Sequence, residues 1–203
     1  MTSRTDHWQQ AWGQNPQSKS WVQTSPALSL AMISACGLAK TAPILDMGGG
    51  ASLLVDCLLD EGYRNITVAD ISETALQLAQ KRLDKLADQV KWEIADACNW
   101  HPTQAYELWH DRAVFHFLTK ANDRTAYKQR VYEFVPKGGF LVMACFTPDG
   151  PKQCSNLPVV GYDGASLAAE IGTGFALMDE QTELHVTPNG GQQKFQYTRF
   201  QRV

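Results

Sequence analysis

At 203 residues the chain is long enough for one domain with a sizeable core and too short for two ordinary ones. An apolar fraction of 44% with 19% charged residues excludes a disordered chain. A net charge of −3 argues against an electrostatic nucleic-acid binder, which needs a basic face.

The polar start, carrying Trp8, Trp12 and Trp21, lacks the apolar run of a signal peptide. Residues 26–39 form the longest apolar stretch, shorter than the roughly 20 residues of a membrane span. A cytoplasmic chain without membrane contact is therefore expected. From Ser25, Leu28, Leu30, Ala31, Ile33 and Leu38 fit a helix ending near Gly37. "ILDMGG" (44–49) reads as a buried strand stopped by glycine, and "ASLLVDCLLDEG" (51–62) as a helix. The alternation repeats with a strand over 65–71, a helix over 72–89 capped by Ser72, and a strand over 90–97. A further strand covers the first half of "YELWHDRAVFHF" (106–117), followed by a helix over 123–135 and a strand over 137–146.

After Phe146, the proline- and glycine-rich residues 147–164 read as a long loop, and 165–172 as a short helix. Two strand-like runs, 175–187 and 192–203, flank "PNGG" and predict a hairpin. Strands alternating with helices imply a mostly parallel, Rossmann-like α/β sheet covered on both faces, with the hairpin adding an antiparallel edge. Ligands in such sheets bind beyond the carboxyl ends of the strands, where strand order reverses. The five cysteines show no Cys-x-x-Cys spacing and are expected to be reduced thiols. The five histidines lack ligand spacing, so no metal site is expected.

Gly48, Gly49 and Gly50 stand between the first strand and its helix, where glycine lets the backbone approach a ligand. A dinucleotide fingerprint fits poorly, because its third glycine position is Leu53. Asp46 also opposes it: two unit charges about 4 Å apart exchange around 4 kcal/mol at an effective dielectric of 20, and a pyrophosphate would be repelled. A ligand bearing an ammonium and a sulfonium but no phosphate reverses that sign, and S-adenosylmethionine is such a ligand. Asp70 then ends the second strand, where an acid accepts hydrogen bonds from ribose hydroxyls. Asp96 ends the third, beside the small Ala97, a place suited to an adenine amino group.

"ILDMGGGAS", "VADIS" and "EIADA" resemble the first three motifs of the class I S-adenosylmethionine-dependent methyltransferases. The resemblance extends to "PKGGFLVMACF" and the final hairpin, and implies a seven-stranded sheet whose last strand is antiparallel. By motif position it implies that Asp46 and the loop of Gly48, Gly49 and Gly50 contact the methionine part, Asp70 the ribose, and Asp96 with Ala97 the adenine. Trp21, Met47, Ile71, Ser72 and His110 are further expected cofactor contacts. The loop reads Gly-Gly-Gly rather than the commoner Gly-x-Gly, so Gly49 is expected to be merely permissive.

"LWHDRAVFHFLT" (108–119) gathers ionisable and aromatic groups beside the expected methyl donor. One reading is a buried aromatic face with a satisfied Asp–Arg pair. The other puts His110 or Asp111 near the sulfonium, Arg112 near an anionic acceptor and His116 in place as a base. This segment and the proline-rich loop are similar in layout to small-thiol and thiopurine methyltransferases, which implies a small acceptor, a thiol or another soft nucleophile. A protein lysine is the alternative acceptor, and a non-catalytic cofactor-binding module the third reading. Residues 1–24 are expected to fold over the domain of residues 25–203 as an aromatic arm or lid, and 147–164 to wall the acceptor. A monomer or weak dimer is expected.

Overall fold

The computed structural model describes residues 3–203. The core is a seven-stranded sheet of order β3-β2-β1-β4-β5-β9-β8. Its strands are β1 (Ile44–Met47), β2 (Ile66–Asp70), β3 (Val90–Ile94), β4 (Leu108–Arg112), β5 (Phe140–Phe146), β8 (Phe175–Val186) and β9 (Gln192–Arg202). The first five run parallel, and β9 lies antiparallel between β5 and β8. The hairpin thus supplies an edge as expected, but its second strand, not its first, joins the parallel block. Two-residue strands β6 (Gln153–Cys154) and β7 (Leu157–Pro158) form a small separate ladder inside the 147–164 loop.

Six α-helices accompany the strands: α1 (Arg4–Gly13), α2 (Ala27–Ser34), α3 (Leu54–Asp60), α4 (Glu73–Leu83), α5 (Ala121–Phe134) and α6 (Gly164–Ile171). The period-two alternation of each strand divides the core. Ile44, Val68, Leu108 and Val142 face α2, α3 and α4, burying against Met32, Ile33, Leu54, Leu58 and Leu76. Leu45, Met47, Trp109, Leu141 and Met143 face the other way, onto Tyr127 and Val131 of α5 and Leu167 and Ile171 of α6.

One expected helix is broken, and the arm holds an element that was not expected. The helix over 72–89 is α4 plus a 3-10 turn, because Asp84 takes a positive φ of 50° after the apolar stripe Ala75, Leu76, Ala79 and Leu83 runs out. The arm holds a helix, α1, opened by a capping box in which Ser3 and Asp6 bond each other's backbone N–H groups. Among the described residues, no helix is long and apolar enough to cross a membrane.

Alternation also decides the fate of Asp111. It lies on the α5 face, where its carboxylate accepts from the Val114 and Phe115 amides and from the Tyr127 hydroxyl at 2.7 Å. Tyr127 in turn accepts from Trp109 Nε1 at 3.1 Å. Replacing Tyr127 by Phe leaves Asp111 Oδ2 and the Trp109 indole short of a partner. Stability should fall by roughly 1–3 kcal/mol, read as a lower urea midpoint at unchanged slope.

Candidate functional site

Strand order reverses between β1 and β4, and beyond their carboxyl ends opens a cavity of about 610 Å³, within the range of small-molecule sites. The glycine loop forms its floor. Gly48 has φ +72°, and a Cβ there would sit 2.0 Å from a Val114 methyl. A Cβ on Gly49 would sit 2.3 Å from Asp46 Oδ2 and 2.9 Å from Val68. Gly49 is therefore required rather than permissive, and the reason is the packing of Asp46 beneath it.

Register pairs Asp46 of β1 with His110 of β4 on the same sheet face. His110 Nδ1 lies 2.7 Å from Asp46 Oδ1, and Nε2 lies 2.9 Å from the hydroxyl of Ser29 on α2. All three residues line the cavity, although each is at most 2% exposed. Ser29 carried only a weak sequence signal, a hydroxyl inside the apolar run of α2.

At the end of β2, Asp70 accepts the Ser72 amide at 2.8 Å and the Gly50 amide. Burial pushes its carboxyl up to about 7, and the negative charge of Asp46 adds to the rise, against the pull of the two amides. Ser72 is turned to capping α4, and its hydroxyl donates to Gln9 of α1. After β3, Asp96 accepts the Cys98 amide at 2.9 Å and pairs with Arg4 of α1 at 3.1 Å. Arg4 also bridges to Asp123 at 2.7 Å. Neither Arg4 nor Gln9 was recognisable as a site residue, because their partners are distant in sequence.

Of the expected cofactor contacts, Trp21, Asp46, Met47, Gly48, Gly49, Asp70, Ile71, Asp96, Ala97 and His110 line the cavity. Gly50 and Ser72 stand outside that lining. Among the four expected catalytic residues, His110 and Arg112 line it, while Asp111 and His116 do not. Asp111 faces α5, as described, so no Asp–Arg pair forms with Arg112. Its burial raises its carboxyl to about 6, against the hydrogen bonds from Tyr127 and the amides. His116 is fully buried between Phe117 and Phe146 and accepts the Phe146 amide through Nδ1. Burial lowers it to about 3, so it is a neutral packing group behind the cavity wall rather than a base within it.

Arg112 crosses to the β9 side. Its Nε donates to the Tyr197 hydroxyl and its Nη1 to the Trp21 carbonyl, each at 3.0 Å. The guanidinium lies 4.5 Å over the Phe195 ring and 4.0 Å from Glu183. Trp8 packs edge-on against Phe117 and Trp21, and Trp12 against Trp21. His7 of α1 meets Ser155 at 3.2 Å, tying the arm to the β6–β7 turn. Ser155 and Asn156 both take positive φ there, the pattern of a tight two-residue hairpin. Among the described residues, no group of three or more His, Cys, Asp or Glu side chains is placed to hold a metal ion.

Residues 44–139 match the family model described as a methyltransferase domain. No curated protein matches the chain in sequence. Solved structures of the same fold include one described for the conversion of a disulfide bond into a thioacetal group during echinomycin biosynthesis. It is 17% identical with a TM-score of 0.79, covering 98% of this chain and 93% of that one. A SAM-dependent methyltransferase from Anabaena variabilis is 13% identical with a TM-score of 0.78, covering 100% and 96%. The N-methyltransferase NodS from Bradyrhizobium japonicum, in complex with S-adenosyl-L-homocysteine, is 14% identical with a TM-score of 0.70, covering 97% and 99%.

Gly49→Ala should force Asp46 and His110 apart and destabilise the fold by about 1–3 kcal/mol, the usual cost of overpacking. Gly13→Ala, with nothing within 4 Å of its added Cβ, is the control and should not lower the urea midpoint.

Proposed function

We propose that the chain is a class I S-adenosylmethionine-dependent methyltransferase and that it methylates a small-molecule acceptor at a thiol or another soft nucleophile. The observation that carries this reading is the partly apolar cavity of about 610 Å³. Trp21, Phe117, Leu157, Pro158 and Cys154 wall the side away from the glycine loop, and the arm and the β6–β7 turn meet above it. Such a space suits a compact acceptor better than a protein segment. The fold itself serves both sulfur and nitrogen chemistry, as the thioacetal and N-methyltransferase structures illustrate.

The residues fit the cofactor. Three carboxylates, Asp46, Asp70 and Asp96, stand along one wall, and the backbone between them has no room for a Cβ at Gly48 or Gly49. In this reading Asp46 faces the ammonium end, Asp70 accepts from the ribose hydroxyls, and Asp96 with Ala97 borders the adenine. The bound cofactor supplies a methyl group on a sulfonium, a carbon activated for in-line displacement. The protein's part is to position the two reactants and exclude water, which accounts for much of the rate in such transfers.

Exclusion of water falls to the arm, which we read as a lid. Arg4 latches it to Asp96 and Asp123, and Gln9 accepts from Ser72 and from the Thr74 amide at the start of α4. The latch residue thus touches the same carboxylate that borders the adenine.

Two measurements test these roles. Calorimetric titration with S-adenosylhomocysteine should show affinity falling as pH drops through about 7, where Asp70 takes up a proton, because ribose hydroxyls donate to the carboxylate form. The slope should approach tenfold per pH unit. Asp70→Ala should lose roughly 1–3 kcal/mol of binding at pH 8 and the pH slope with it; unchanged binding refutes the assignment. For the acceptor, labelled cofactor should be incubated with small thiols, small amines and cell lysate. Label in small thiols is the expected result, and label confined to a protein band would establish the lysine alternative instead.

A further inference from the structure

We infer that Ser29, His110 and Asp46 form a relay that takes the proton of the methyl acceptor. The inference rests on the small-acceptor reading above. It concerns an acceptor whose reacting group is still protonated at neutral pH, X–H, such as a thiol of ordinary acidity.

The geometry is that of a hydroxyl, a base and an orienting carboxylate in series. Asp46 Oδ1 stands 2.7 Å from His110 Nδ1, and His110 Nε2 stands 2.9 Å from Ser29 Oγ. A carboxylate at Nδ1 selects the tautomer protonated there and turns the Nε2 lone pair to the Ser29 hydroxyl. The Ser29 hydroxyl also reaches the Tyr197 hydroxyl, and its oxygen keeps a lone pair for a donor in the cavity that it lines. Register between β1 and β4, and the packing of Gly49 over Asp46, hold the pair rigidly.

The other ionisable groups of the β4 segment, and the second histidine of the cavity, are otherwise engaged. His116 lies behind the wall with Nδ1 on a backbone amide, and Asp111 is saturated by Tyr127 and two amides. His7 is the other histidine lining the cavity, carried by the arm and held to Ser155. Around His110 stand Asp46 from β1, Ser29 from α2, Arg112 from its own strand, and Tyr197 of β9, which is bonded to Arg112 and to Glu183 of β8. Asp70 of β2 lies beyond Asp46. Arg112 and Glu183 offset one another, and Asp46, whose Oδ1 is on His110, is the carboxylate shared between that ring and the ammonium end of the cofactor.

In the transfer, the acceptor atom bonds the methyl carbon as the carbon–sulfonium bond breaks. The X–H bond gives its proton to Ser29 Oγ while the Ser29 proton passes to His110 Nε2. The positive charge that began on sulfur ends as an imidazolium beside Asp46, and that proton leaves to solvent before the next turnover.

Two readouts test the relay. With benzyl mercaptan as acceptor, the pH profile of kcat/KM should stay level well below the ionisation of the thiol. In Ser29→Ala the rate at pH 7 should fall by about 10²–10⁴-fold, the range of general-base contributions, and should rise with pH as the thiol itself ionises. S-adenosylhomocysteine affinity of this variant should stay within about threefold of the parent, which shows the fold intact and is a rough allowance for the loss of one neutral hydroxyl. A Ser29→Ala profile that superimposes on the parent overturns the relay, as does loss of the plateau in His7→Ala alone. Independently of any acceptor, ¹⁵N shifts of the His110 ring in the S-adenosylhomocysteine complex at pH 7.5 should show a proton on Nδ1 and a bare Nε2. A ring protonated at Nε2 across pH 6–9 overturns the relay even if thiols are methylated. The expected tautomer sustains it even if benzyl mercaptan is not a substrate.

Discussion

Burying a carboxylate at the end of a central strand costs several kcal/mol unless a partner is supplied, and here the sheet supplies one. The parallel register of β1 and β4 puts His110 beside Asp46, and Ser29 closes the far side of the ring. Much of the site follows from that placement. Gly49 must lack a side chain because Asp46 lies under it, and the cavity opens above the pair because strand order reverses between these two strands.

The architecture was legible in the sequence because its signals are local. Apolar strands broken by glycine, capped helices and the glycine triplet each declare themselves within about ten residues, and the order of alternation then implies the parallel sheet. The carboxylates Asp46, Asp70 and Asp96 were legible for the same reason, each at or just beyond the carboxyl end of its strand. Strand alternation also separates Asp111 from its neighbours His110 and Arg112, so a segment that looks like one cluster of polar groups is two faces of one strand. Reading "LWHDR" with a period of two would have placed Asp111 on the opposite side.

Contacts between distant segments left no comparable trace. Ser29 meets His110 across 81 positions, Arg4 meets Asp96 across 92, and Arg112 meets the Trp21 carbonyl across 91. Each depends on how a helix or arm is laid against the finished sheet. The helix in the arm was different: Ser3 and Asp6 make a capping box, and Trp8 and Trp12 follow at helical spacing, so its signal was present in the text. His116 shows the reverse error, a titratable residue in a suggestive motif that proves to be packing among aromatic rings.

The placement of β9 has a consequence for how the chain assembles. β8 is synthesised before β9, yet it joins the sheet only through β9. Until residues 192–202 are made, β8 has no neighbour, and the exposed Leu177, Met178, Leu184 and Val186 along it remain a free, sticky ribbon. The economical order is for β8 and β9 to zip together as a local hairpin and dock onto β5 as a unit. Tyr197 and Phe195 arrive in that docking, so the support behind Arg112, which lines the cavity, is among the last parts of the site to be built.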